Sequence, residues 1–197
     1  MRAVILATGE CPDMNPLNER YPTPLFPLVD RPFLQHVVET LVDQGITDMD
    51  FLLCHLPEEI ERTFGDGTRW GAQFRYHLAH DVPHAYQMIA QSLVPNESIV
   101  LIHGDRLPQL DKRQFLTLAE GKQERQEPIV FYWQDTENTE SAEPTTRWTG
   151  WAYLPGWVSL PGSVWSCLLE ESDEQTIEAH VLRIADNRVN CERCLNR

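Results

Sequence analysis

Arg2-Ala-Val-Ile-Leu-Ala7, followed by Thr8-Gly9, is the stretch whose reading decides the fold. From Ala3 to Ala7 it is unbroken apolar sequence with β-branched residues at Val4 and Ile5. Such a run reads as a strand buried on both faces, as in a parallel sheet. The sequence then changes character over residues 8–31. Pro12, Pro16, Pro22, Pro24 and Pro27 forbid a helix through that stretch. A connection of this length straight after a buried strand is more often functional than incidental.

Outward from this start, strands and helices alternate. Pro32 is placed to open a helix, Phe33, Leu34, Val37, Val38, Leu41 and Val42 give it one apolar stripe, and Gly45 ends it. Residues 49–55 read as a second strand and 57–64 as a short acidic helix. Gly65, Gly67 and Gly71 punctuate a loop before a third strand over 72–78. A helix over 85–93, a buried strand over 98–103 ending in Gly104-Asp105, a helix over 111–120 and a strand over 128–133 follow. Beyond an acidic loop at 135–146, the pattern predicts a strand over 148–154, a helix over 161–170 and a last strand over 176–184. This order predicts an α/β fold, doubly wound on a mostly parallel sheet. No repeat and no second core is visible, so residues 1–197 read as one domain.

Charge narrows the function. The 197 residues carry 30 acids and 16 bases, a net charge of −14, and the only lysines are Lys112 and Lys122. A nucleic-acid binder needs cations gathered on one face, so DNA, RNA and anionic membranes are disfavoured as partners. A single nucleotide remains compatible, because a local site can oppose the global field. No apolar run reaches the ~18–20 residues of a membrane span, and the first is too short for an export signal. Cys11, Cys54, Cys167, Cys191 and Cys194 are odd in number, which reads as free thiols in a reducing cytoplasm. Cys191 and Cys194 form a lone CxxC that lacks the further ligands of a zinc site; ordinary thiols are the plainer reading.

In open α/β sheets, ligands sit at the carboxyl ends of the strands. Two features fall there: the loop beginning Thr8-Gly9, and Asp105 after the strand Ile99-Val-Leu-Ile-His103. A carboxylate so placed can hold a divalent cation that bridges phosphates, or can simply cap the next turn.

Residues 1–105 resemble the nucleotide-binding part of the sugar-phosphate nucleotidylyltransferases, the NDP-sugar pyrophosphorylases. Their G-G-x-G-T-R-L-x-P-L-T segment lies without a gap on Thr8-Gly-Glu-Cys-Pro-Asp-Met-Asn-Pro-Leu-Asn18, and their P-K-P-L-x-P-V on Pro22-Thr-Pro-Leu-Phe-Pro-Leu28. Arg31-Pro32, Gln44-Gly-Ile46, Phe64-Gly-Asp-Gly67 with Trp70-Gly71, Tyr76 and Gly104-Asp105 continue the likeness in order. The resemblance implies a Rossmann-like three-layer nucleotide-diphospho-sugar transferase fold. Residues 1–110 would form the nucleotide half and 111–197 a reduced sugar-binding half. It implies nucleotide contacts from Leu6, Ala7, Thr8, Gly9 and Gly104, magnesium on Asp105, and a nucleotide or NDP-sugar as ligand.

The departures from that pattern carry the functional reading. The family arginine that contacts the triphosphate falls on Asp13, and the lysine of P-K-P falls on Thr23. Pro12 supplies no N–H. Residues 135–146 stand where the family has its sugar-binding E-K-P segment, without a lysine, and Asp173 and Asp186 match its second magnesium ligand by position only. Cationic clamps are the main protein contribution to phosphoryl transfer. The chain is therefore expected to be a member without catalytic residues, acting by binding a nucleotide, NDP-sugar or protein partner. The alternatives are a divergent enzyme in which Arg20 or Arg31 reaches the phosphates, and a ligand-free interaction protein. For the last, Trp133, Trp148, Trp151, Trp157 and Trp165 would form a partner or homodimer surface rather than core. A hydrolase built on His55, His77, His80, His84 or His103 with Asp105 lacks HxH, HExxH or GxSxG spacing.

Overall fold

The computed structural model describes residues 1–9, 11–81, 84, 85, 88 and 99–105, and the backbone of 129–134 and 146–154. Of the helix expected over 85–93, Ala85 and Met88 are helical; its other residues, the helices expected over 111–120 and 161–170, the strand over 176–184, residues 135–145 of the expected acidic loop, the CxxC and the side chains of Trp133, Trp148, Trp151, Trp157 and Trp165 lie outside these residues.

Six strands form one sheet in the order β5-β4-β1-β6-β8-β7. β1 (Arg2–Ala7) lies parallel between β4 (Asp48–Leu53) and β6 (Ile99–His103), and β5 (Gln73–Leu78) extends the parallel set beyond β4. β8 (Thr146–Leu154) runs antiparallel to β6, and β7 (Ile129–Gln134) antiparallel to β8. All six residues of β1 are buried, as expected of a strand with neighbours on both sides and cover on both faces.

Side-chain alternation assigns the faces. Ala3, Ile5, Ala7, Met49, Phe51, Leu53, Val100 and Ile102 form one core with Leu34, Val37, Val38 and Leu41 of α1 (Phe33–Asp43) and Ile60 and Phe64 of α2 (Pro57–Phe64). Phe51 is its centre: the rings of Phe74 and Tyr76 lie 5.1 and 5.3 Å from it and that of Phe64 6.2 Å. Helix α1 stops as its sequence predicts. Gly45 takes φ +80°, its N–H bonds Val42 O, and Ile46 N–H bonds Leu41 O, the paired bonds of a Schellman stop. Pro32, expected in the first helical turn, instead stands just before it in extended backbone (ψ 143°). It closes a two-stranded hairpin, β2 (Pro27–Leu28) with β3 (Arg31–Pro32).

The opposite face of β4 and its neighbours carries charge. Asp50 is buried, and both its oxygens are engaged. Arg2 Nη1 lies 3.0 Å from Oδ2, Arg75 donates from Nε to Oδ1 (2.9 Å) and from Nη2 to Oδ2 (3.1 Å), and His77 Nε2 donates to Oδ1 (2.7 Å). Register explains the convergence: Arg75 is directly opposite Asp50, and His77 and Arg2 sit one pleat away on either side. No helix of the described residues is long and apolar enough to cross a membrane.

Candidate nucleotide site at the carboxyl rim of the sheet

The site is built where β1 and β6 end side by side. Leu6 pairs with His103 in register, and Gly104 N–H donates to Leu6 O at 2.9 Å. Gly104 permits this approach. A β-carbon there would meet Leu34 Cδ1 and Leu6 O at 3.3 Å and Ala7 Cα at 3.4 Å. Asp105 therefore leaves the sheet directly beside the start of the loop that follows β1.

That loop returns to the same point. A β-carbon on Gly9 would stand 3.5 Å from Asp105 Oδ2 and 3.7 Å from Thr23 Cβ. Residues 9, 23 and 105, distant in sequence, thus form one junction. The prolines that forbid a long helix accommodate three single 3-10 turns, Pro12–Met14, Leu17–Glu19 and Thr23–Leu25. The stretch read as irregular is in fact folded turn by turn. Asn18 is its interior anchor, 3% exposed. Its side-chain carbonyl accepts from Cys11 N–H (3.4 Å), and its main-chain carbonyl accepts from His55 Nε2 (2.8 Å). His55 follows β4, whose Leu53 is paired with Ala7, so the loop is held to the rim at two places. The strand expected to run through position 55 stops at Leu53, which leaves His55 to make this bond.

The residues expected to contact a nucleotide divide into two groups. Leu6, Ala7 and Thr8 are buried, and Gly9 and Gly104 line the approach of β1 to β6. Asp13 lies on the first 3-10 turn with its side chain exposed, and it makes no ion pair or hydrogen bond among the described residues. Thr23 Oγ1 is buried and has no hydrogen-bond partner among them. Arg31 is held on all three guanidinium nitrogens. Nε and Nη2 donate to Asp30 (3.0 and 2.8 Å), and Nη1 donates to Glu39 (2.9 Å). Those carboxylates hold the Arg31 guanidinium more firmly protonated than an ordinary arginine. Arg20 is exposed and makes no such contact among the described residues.

The histidines are dispersed. His55 serves Asn18, His77 serves Asp50, and His36 Nε2 donates to Leu28 O at 3.1 Å. His80 and His84 stack with centroids 5.0 Å apart. Among the described histidines only His103 stands at the rim junction, its Nδ1 3.8 Å from Asp105 Oδ1. No group of three His, Cys, Asp or Glu side chains among the described residues could hold a metal ion by itself. Asp105 does fit a magnesium ion that arrives with phosphates, since Mg²⁺ commonly takes one or two carboxylates and fills its shell with water and phosphate oxygens.

The sequence profile of the nucleotidyl transferase family matches residues 2–141, most of the chain and all of this rim. The chain belongs to that family. The UTP–glucose-1-phosphate uridylyltransferase of Synechocystis sp. is 36% identical over 82 residues, 42% of this chain and 21% of that protein. The low-salt glycan biosynthesis nucleotidyltransferase Agl11 of Haloferax volcanii is 30% identical over 111 residues, 54% of this chain and 31% of that protein. The chain thus matches less than a third of the length of these two relatives. Its fold matches a UDP-glucose pyrophosphorylase complexed with UDP-glucose, with a TM-score of 0.68 at 15% identity, over 98% of this chain and 89% of that one. The family expected from the sequence motifs and the Rossmann-like α/β fold are both borne out. The sequence offers no role for Asn18 and offers His55 only as one of the hydrolase histidines. Asn18 stands at the last position of the glycine-rich segment and His55 just past a strand end; only their hydrogen bond reveals the clamp.

Proposed function

We propose that this nucleotidyl transferase family member binds a nucleotide or nucleotide sugar at the rim formed by Leu6, Ala7, Thr8, Gly9 and Gly104, without transferring a nucleotidyl group. The observation that carries this reading is Thr23. It packs at the junction with Gly9 and Asp105, where the resemblance calls for a lysine. A hydroxyl cannot neutralise charge on a transferring phosphoryl group. Loss of one such electrostatic contact commonly costs ~3–4 kcal/mol of barrier, about a hundred- to thousand-fold in rate. Asp13, in the place of the second cation, adds repulsion. Arg31 is committed to Asp30 and Glu39 and is not positioned as a substitute. Asp105 would hold a magnesium ion carried in by the ligand's phosphates, and that ion would supply the charge the loop lacks. In this reading residues 1–197 are one domain, with 1–110 as its nucleotide half.

The test pairs two assays. Thermal shift against UTP, UDP-glucose and the corresponding guanosine and thymidine compounds, with and without magnesium, reads binding. A ligand at 100 times its Kd stabilises by about 2.7 kcal/mol, or roughly 5–11 °C for a chain of this size. Pyrophosphate release from each nucleoside triphosphate with a sugar 1-phosphate reads catalysis. Stabilisation without release is the expected result. Metal-dependent release that Asp105→Asn abolishes would establish the alternative, a working sugar-phosphate nucleotidylyltransferase. The exposed Arg20 is the observation that favours that alternative.

A further inference from the structure

We propose that Arg20 is the residue through which this rim contacts phosphate. The inference rests on reading the rim as a nucleotide site, and it names the group that meets the ligand's charge there. Residues 1–105 hold 15 acids, six arginines and no lysine, a net of −9. Five of the six arginines are committed elsewhere. Arg2 and Arg75 hold Asp50. Arg62 pairs with Glu59, Arg69 lies 5.0 Å from the centroid of the Trp70 ring, and Arg31 is saturated by Asp30 and Glu39. Arg69 meets only a ring, and in so acidic a half Arg20 is the arginine with neither a carboxylate nor a ring partner among the described residues.

Its place in the fold is what turns exposure into a role. Arg20 N–H donates to Leu17 O (3.1 Å) and closes the turn Leu17–Glu19. Two residues before it, Asn18 is fastened to His55 at the end of β4. Three residues after it, Thr23 lies against Gly9 beside Asp105. β4 and β1 are neighbours, with Leu53 opposite Ala7. Arg20 therefore stands on a short span of loop between two anchors on the same rim, no more than about 10 Å of chain from Thr23. Its backbone is fixed by those anchors while its side chain remains available. A guanidinium offers phosphate a planar, bidentate, charge-assisted contact that neither Thr23 nor Asp13 can make. Arg20 thus offers the ligand's phosphate a binding contact from the next turn of the loop, without standing at position 13 or 23.

The test is equilibrium binding of UDP-glucose, GDP-mannose, dTDP-glucose and the matching triphosphates to wild type, Arg20→Ala, Arg20→Gln, Arg20→Lys and Arg31→Ala. Melting of each free variant checks that it folds. The probe that binds wild type is expected to lose at least tenfold in affinity in Arg20→Ala and Arg20→Gln, with a shallower salt dependence. Arg20→Lys should retain part of the affinity, and Arg31→Ala should remain within about twofold, because its charge is already neutralised. If wild type binds a probe and Arg20→Ala and Arg20→Gln bind it equally well, the assignment of Arg20 is wrong and the site reading stands. If wild type binds none of the probes, the site reading fails and takes this inference with it.

Discussion

Replacing Asp50 by alanine tests the least expected feature of the fold, a charged cluster on β4 and its neighbours, whose opposite face packs the apolar core. The carboxylate takes contacts from Arg2 (3.0 Å), Arg75 (2.9 and 3.1 Å) and His77 (2.7 Å). Removing it affects these partners unequally. Arg75 keeps Asp48 Oδ1 at 2.7 Å and is well exposed, so its charge is met by a second carboxylate and by water. The Arg2 side chain is only 11% exposed and loses a carboxylate 3.0 Å away. Removing one member of a buried, hydrogen-bonded charge pair commonly costs about 3–5 kcal/mol. For a chain of this length that is a fall in Tm of roughly 6–20 °C.

The pH dependence has a definite sign. Burial pushes the Asp50 carboxyl up, but hydrogen bonds from Arg75 and His77 and the charges of Arg2 and Arg75 outweigh it, leaving it below the ordinary aspartate value. The native state therefore holds its proton less readily than the unfolded chain. The stabilisation is complete above the unfolded value of about 3.9 and is lost as pH falls through the native one. Urea unfolding followed by tryptophan fluorescence at pH 7, 5, 4 and 3 should show a large wild-type advantage over Asp50→Ala down to about pH 4, shrinking below it. The double variant Arg2→Ala/Asp50→Ala should lose less than the sum of the singles. A single variant as stable as wild type at pH 7, or a gap that does not change below pH 4, would refute the reasoning.

Gly67→Ala should destabilise more than Gly45→Ala in thermal melts. Both have positive φ, costing about 1–2 kcal/mol for a β-carbon, but only at Gly67 would that carbon fall 2.8 Å from Ala72 O. Cys54 should resist iodoacetamide at pH 8, where Cys11 is the faster of the two under peptide mapping. Burial, with the negative charge of Asp81, pushes the Cys54 thiol up to about 11, which leaves about one thiolate in a thousand at that pH. His55→Ala should cost only the ~0.5–1.5 kcal/mol of one hydrogen bond. It should nonetheless raise protease cleavage within residues 11–25 and weaken nucleotide binding, because Asn18 loses its tie to β4.

The sequence was most informative where one local rule decides. An apolar run with β-branched residues makes β1 whatever surrounds it, a stripe closed by Gly45 makes α1, and Gly104-Asp105 marks the end of β6. These rules yielded the α/β order and, with the ordered motifs, the family. The sequence alone also places an acid at position 13 and a threonine at position 23, where the resemblance implies cations. Partnership was not legible. That Arg31 is saturated, that Asn18 fastens to His55 across 37 positions, and that Gly9, Thr23 and Asp105 meet all depend on loops returning to a shared rim. Strand register likewise gathered Arg2, Arg75 and His77 around Asp50, three residues that no spacing in the sequence connects. Local propensity follows from neighbours in the chain; charge neutralisation and site geometry follow from neighbours in space, and only the tertiary structure decided those.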